Sequence, residues 1–327
     1  MVETETIRKI ANGVMQNSAK MSLTGLYNGK AGLSLSLFTA SNYLHDELME
    51  DVAHRLFQES LIIRNSDIGF ENGLAGIGYA MLYLVENKYM EADFDELFGI
   101  QYETIISSFK NIEKVPPRLV NSLQTLYFLS KLGKIKKQDG RVEEIIQKVF
   151  EGLELFLTLQ FHDFYDIRYI EKKADVLSIF IAWLKLIDYS DYTHFSRSLL
   201  EEYTALYRKN RITGSLTVGY YLSRIAVKNK ITEYEDLINE NIKNGLNNIY
   251  LPALSLRERI DLAKIAEDIK YADFKEQDIL PEIEGIHKEK VIVDLLKTVD
   301  EKLHPYGYGA GLGRLLLYCV DKNAELL

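Results

Sequence analysis

The apolar positions of the chain fall into two patterns that alternate. In one, apolar residues make a single stripe at helical spacing and the charges lie off it. Residues 45–63 place Leu48, Met49, Val52, Ala53, Leu56 and Phe57 on one face, with Asp46, Glu47, Glu50, Asp51 and Arg55 largely elsewhere. Val142, Ile145, Ile146, Val149, Leu153 and Phe156 repeat the spacing, as do Ile292, Leu295, Leu296, Val299 and Leu303. Such segments predict half-exposed helices with one buried face. They fall near 5–20, 45–63, 94–112, 142–160, 192–209, 233–248 and 288–303. In the other pattern the segment is apolar all round, which predicts a helix buried on every side. These fall near 29–43, 73–87, 118–132, 173–188, 214–228, 254–268 and 309–321. The alternation predicts an all-α fold, seven inner and seven outer helices closing as an α/α toroid in one domain, residues 1–327. Hairpin signals are nearly absent. Pro116-Pro117, Pro252 and Pro305 fall just ahead of inner helices, where proline is tolerated. Residues 270–290 are the longest irregular stretch and read as a loop laid over one end of the ring.

Several inner segments open with glycines. The clearest is Gly69-Phe70-Glu71-Asn72-Gly73-Leu74-Ala75-Gly76-Ile77-Gly78. Gly25-Leu26-Tyr27-Asn28-Gly29-Lys30-Ala31-Gly32 and Tyr306-Gly307-Tyr308-Gly309-Ala310-Gly311-Leu312-Gly313 repeat the form. A weaker copy runs from Gly214 to Gly219. Matching Ala310-Gly311 to Ala75-Gly76 sets Gly313 against Gly78 and Tyr318 against Tyr83. Gly69 and Gly73 suit a turn with positive φ, which only glycine adopts cheaply. Gly76 and Gly78 lie inside a helix, where each costs about 1 kcal/mol relative to alanine, so they predict close backbone packing. Recurrence at this interval marks an array of one supersecondary unit.

Composition adds little to that picture. Lys+Arg 39 against Asp+Glu 48 gives −9, which does not recommend a nucleic-acid partner. The acidic start predicts no signal peptide, and no apolar run is long enough for a membrane span. The one cysteine, Cys319, excludes an intramolecular disulfide framework and suggests a reducing, cytoplasmic setting. Its apolar surroundings predict a buried, inert thiol.

The glycine-led inner helices at 25–38, 69–84 and 307–318, with the helix alternation over the whole chain, resemble the lanthionine synthetase C (LanC-like) family. That resemblance implies a toroid of seven inner and seven outer helices. It also implies closure of thioether rings in ribosomally made, lantibiotic-type peptides by a zinc-activated cysteine thiol. The partners implied are a precursor peptide or a partner modification enzyme. The family's zinc ligands do not carry over. Ile212 and Thr213 stand where a Cys-Tyr pair opens the fifth inner helix, and Leu251-Pro252 where a Cys-His pair opens the sixth. Lys172-Lys173 stand near the position of a further histidine. Zinc requires thiolate, imidazole or carboxylate, so no metal and no other cofactor is expected. The reading is a non-catalytic or divergent peptide-binding member. The alternatives are a metal-free peptide-modifying enzyme and, from another class, a carbohydrate-active α/α barrel. Trp183, placed inside an inner helix, argues against the sugar platform of the last.

By the resemblance, loops leading into the inner helices line the active mouth. Polar and aromatic residues there include Tyr27, Asn28, Glu71, Asn72, Arg118, Asn121, Asp166, Tyr169, Thr213, Ser215, His304, Tyr306 and Tyr308. Helix N-termini gathered at one mouth present unpaired N–H groups suited to peptide carbonyls or carboxylates. Asn28 and Asn72 read first as helix caps or turn residues, and as peptide contacts second. His304 with Tyr306 forms a candidate acid or base on a glycine-rich loop, set against plain packing of the loop. His162, Asp163 and Asp166 form a second patch, read as turn residues. Arg257, Glu258, Arg259 and Asp261 make the sixth inner helix unusually charged, as a solvated face or, alternatively, a polar patch on the central hole.

Overall fold

The computed structural model describes residues 3–62, 65–109, 123–135, 139–164, 170–269, 279–280, 289–299 and 303–321. Among them every regular element is helical. Residues 94–105 and 250–321 join the N-terminal part in one compact unit, and 106–249 form a second.

The first unit contains α1 (Thr4–Ser18), α2 (Lys30–Leu44), α3 (Glu47–Ile62), α4 (Leu74–Glu86) and most of α5 (Phe94–Ser108). The second contains α6 (Thr125–Ile135), α7 (Gly140–Asp163), α8 (Ile170–Tyr189), α9 (Arg197–Arg208), α10 (Leu216–Asn229) and α11 (Glu235–Asn247). The chain then returns to the first unit with a 3-10 turn (Leu251–Ala253), α12 (Leu256–Ile269), α13 (Glu289–Leu296) and α14 (Leu312–Val320). All fourteen expected segments are helical, most within a few residues of the expected bounds. The expected third inner helix is described from residue 125 onward, and Pro116-Pro117, Arg118 and Asn121 lie outside the described residues. So does most of 270–290.

The two helix types differ in burial as their patterns require in α2, α4 and α14, whereas α8, α10 and α12, expected to be buried on every side, each keep an exposed face. In α4 every residue from Ala75 to Leu84 is buried, and in α14 every residue from Leu312 to Cys319. In α1 only the stripe Thr6, Ile7, Ile10, Ala11, Val14 and Ser18 is buried. Two expected core positions fail outright: Leu48 is 65% exposed, while Met49, Ala53, Leu56 and Phe57 bury α3, and Val227 of α10 is 82% exposed. In the first unit α12, α14, α2 and α4 pack in that order, each against the next, with α1 and α3 against α2. In the second unit α6, α8 and α10 pack in series, with α7 against α6 and α8, and α11 against α10. Its core is aromatic: Phe180 stacks on Trp183 and Tyr203, and Phe161 meets it edge-on. Trp183 is fully buried, as its pattern predicts.

The turn role expected of Gly69 and Gly73 is not found, while the close packing expected at Gly76 is. Among the described residues no glycine has positive φ; the helix N-caps Gly29, Gly73 and Gly311 are all extended. Close approach is what excludes a side chain. A Cβ on Gly76 would collide with the Phe70 carbonyl and stand 2.8 Å from the Leu26 Cβ. Gly32 repeats this against the Leu26 carbonyl and, at 2.6 Å, the Tyr308 Cβ. The weak copy at Gly214 and Gly219 is different. There a Cβ would meet Asn244 or Ile242 at 2.8 Å, so these glycines admit the outer helix α11 rather than shape a loop.

Candidate functional site

Three loops, 23–29, 67–73 and 305–311, precede α2, α4 and α14 and share one backbone design. The first helical N–H donates to the carbonyl seven residues back: Lys30 to Leu23, Leu74 to Asp67, Leu312 to Pro305. The second does the same: Ala31 to Thr24, Ala75 to Ile68, Gly313 to Tyr306. This register sets Gly311 against Gly73 and Gly29, not against Gly76, so the sequence match of Ala310-Gly311 to Ala75-Gly76 is three residues out. The position of Gly32 and Gly76 is held in the third copy by Arg314. The bonds also correct a second expectation. The leading N–H groups of these helices are occupied by their own loops and are not available to a ligand.

The loops are also tied to one another. Gly309 donates its N–H to the Tyr27 carbonyl at 3.0 Å, and Tyr27 donates its N–H to the Glu71 carbonyl at 2.6 Å. Gly309, Tyr27 and Glu71 are equivalent positions, so the three loops are joined head to tail. Asn28 adds a tie, its Oδ1 accepting the His304 N–H at 2.8 Å. Asn65 adds another, its Nδ2 donating to Thr24 Oγ1 and to the Asn72 carbonyl. Neither Asn28 nor Asn72 caps its helix through its side chain, so of the first reading the turn role stands and the capping role does not. The Asn72 Oδ1 is buried without a hydrogen-bond partner.

Around this backbone stand the candidate side chains. Tyr27 and Tyr308 are buried at 1% and 0% exposure and lie 6.2 Å apart ring to ring. They are internal packing, not a mouth surface. Arg257 of α12 lies over the Tyr27 ring at 4.9 Å and donates Nη2 to its hydroxyl at 3.2 Å. Tyr27, Asp261 and Glu71 hold the Arg257 guanidinium charged despite burial. Asp261 pairs with Arg314 at 2.5 Å, and Arg314 is wholly buried. Arg257, Arg259 and Asp261 of α12 therefore form a polar patch against neighbouring elements, not the solvated face expected; of those four charges only Glu258 is exposed. Glu258 instead caps α12, its Oε2 accepting the Ser255 N–H at 2.8 Å.

His304 is half-buried, and burial lowers its pKa, leaving the imidazole neutral. Its Nδ1 accepts the Tyr306 N–H at 3.3 Å, which puts the ring proton on Nε2. In this state His304 presents a donor, not a base. The rim of the first unit thus brings together Asn28, Glu71, Asn72, His304, Tyr306 and Arg257. Thr213 belongs to the second unit, where it is exposed, and Asp166 and Tyr169 lie outside the described residues. His162 reaches Glu202 at 3.9 Å.

Among the described residues no three His, Cys, Asp or Glu side chains gather as a metal site. Ile212 is buried at 8% exposure, and with Thr213 and Leu251 it offers zinc no ligand, so these positions do not fit the metal the resemblance implies. The Cys319 thiol is buried within α14. No described helix is long and apolar enough to cross a membrane. No protein-family model, curated protein or solved structure matches this chain.

Proposed function

We propose that this chain is a zinc-free, LanC-like α/α toroid that binds a peptide at the N-terminal rim of its inner helices. The head-to-tail bonds Gly309–Tyr27–Glu71 carry the reading. The third loop meets the first through the same backbone bond by which the first meets the second, a repeated head-to-tail contact that suits a ring of such units. The rim offers groups that suit a peptide backbone. His304 Nε2–H is a donor for a carbonyl, Glu71 an acceptor for amides, and Arg257 a partly accessible cation. The occupant is a precursor peptide of ribosomal peptide modification, or a segment of a partner enzyme. With no zinc ligands and a histidine that donates, the role is binding rather than thioether closure.

The test is a random-peptide display library panned on the full chain, with Arg257→Ala and His304→Ala as counter-targets. Enriched peptides should bind the wild type and lose about tenfold or more in affinity on each variant, the value of a charge-assisted or buried hydrogen bond. No enrichment, or equal binding to all three proteins, would overturn the reading. Stoichiometric zinc in protein purified without added metal would overturn its zinc-free part.

A further inference from the structure

The second unit contains a cleft of ≈ 720 Å³ between the end of α6, the start of α7 and the segment after α8. That volume is in the range that encloses small organic ligands. Its lining mixes polar and apolar surface and includes Lys134, Glu143, Val142, Ile146, Tyr192 and His194. Tyr192 is fixed, stacked on Phe150 at 4.2 Å and 6°, with its hydroxyl donating to the His194 carbonyl at 3.2 Å. One wall is therefore a rigid aromatic face.

The charges in the cleft are unevenly compensated. Asp139 is paired with Arg141 at 2.8 Å, and Asp191 lies 4.0 Å from Lys228. Lys134 and Glu143 have no ion-pair partner among the described residues; the Lys134 ammonium rests over the Tyr189 ring at 5.3 Å. Ser130, also in the lining, is buried, and its Oγ is closed off from the cleft without a hydrogen-bond partner. An ammonium and a carboxylate without ion-pair partners among the described residues, lining one cleft, call for a ligand that carries both charges.

We propose that this cleft binds a zwitterionic small molecule of the amino-acid or short-peptide type, with its carboxylate on Lys134 and its ammonium on Glu143. The proposal concerns residues apart from the rim and does not depend on the function proposed for it.

The experiment is isothermal titration of the full chain with trialanine, and separately with N-acetyl-trialanine amide, which has the same backbone and neither charge. Wild type should bind trialanine and not the capped form. Lys134→Ala and Glu143→Gln, both at exposed positions, should each weaken trialanine at least about tenfold. Arg208→Ala, an exposed charge of α9 that lines neither the cleft nor the rim, should bind trialanine as wild type does. Absence of binding by wild type, equal binding of the capped peptide, or indifference to both cleft variants overturns the proposal.

Discussion

Glu154→Gln should flatten the pH dependence of stability. Glu154 lies on the buried face of α7 at 7% exposure. Its Oε2 accepts the Ser196 N–H at 2.9 Å, the residue that opens α9, while its Oε1 has no hydrogen bond. Burial pushes its pKa up from 4.5 to about 7; the Ser196 bond opposes that, Glu151 adds to it, and the nearby Trp183 indole opposes it weakly. The acid form is the one the fold prefers. Its contribution is complete below pH 4.5 and is lost as pH rises through about 7. The gap between the two values comes to about 3 kcal/mol, at roughly 1.4 kcal/mol per pH unit. Above neutrality the wild type carries that cost in full.

A glutamine is neutral at every pH and its carbonyl can keep the Ser196 bond. Its amide then faces the Trp183 N–H, donor against donor, at a cost of about 1 kcal/mol. The net expectation is a variant more stable than wild type by about 2 kcal/mol near pH 8, and level with it or weaker near pH 5. Guanidinium unfolding followed by the near-ultraviolet dichroism of the aromatic core, run at both pH values, measures this. Parallel profiles for the two proteins would show that the carboxyl titrates at its ordinary value, and the account of its burial would fail.

The two kinds of helix glycine should respond oppositely to alanine. Gly76→Ala meets the Phe70 carbonyl and Leu26 and should cost about 1–3 kcal/mol, whereas Gly99→Ala in α5, with nothing within 4 Å, should gain up to about 1 kcal/mol; thermal melts of both decide it. Lys88 and Lys230 hold φ of 60° and 54° at the ends of α4 and α10, so Lys88→Gly and Lys230→Gly should each raise the unfolding midpoint, by about 0.5 kcal/mol once the flexibility of unfolded glycine is subtracted.

The helices were legible because a stripe and an all-round apolar surface are different sequence patterns, and burial answers to the second most fully in α2, α4 and α14 and only in part in α8, α10 and α12. The loop register was misread for a physical reason. Residue identity favoured Ala310-Gly311 on Ala75-Gly76, yet the register is set by backbone bonds spanning seven residues, which side chains do not report. The spacing of the glycines did report it: 25 and 29, 69 and 73, 307 and 311 are the same interval. Glu154 was not legible at all. In sequence it is one acid on a charged helix, and only the arrival of Ser196 and Trp183 from elsewhere in the fold makes it a buried one. The charges of α12 failed similarly, since a sequence does not say which neighbour a helix face meets. The capping pair Ser255 and Glu258, by contrast, stood in the sequence at the spacing a capping box requires.

The loop design also says where this rim can carry specificity. Because each loop consumes the leading N–H groups of its own helix, the peptide binding proposed for this rim would fall to side chains. Because the loops are tied to one another through main-chain atoms of Gly309, Tyr27 and Glu71, the side chains at those positions are not needed for the tie. One position therefore holds a glycine, a buried tyrosine and an acid on an unchanged backbone. The tyrosine has become the platform for Arg257, and the acid contributes to the field that keeps that arginine charged. Had the loops been joined by side-chain bonds, each substitution would have threatened the packing of the helices behind it. Joined through the backbone, the rim can change its chemistry from loop to loop while the spacing of α14, α2 and α4 stays the same.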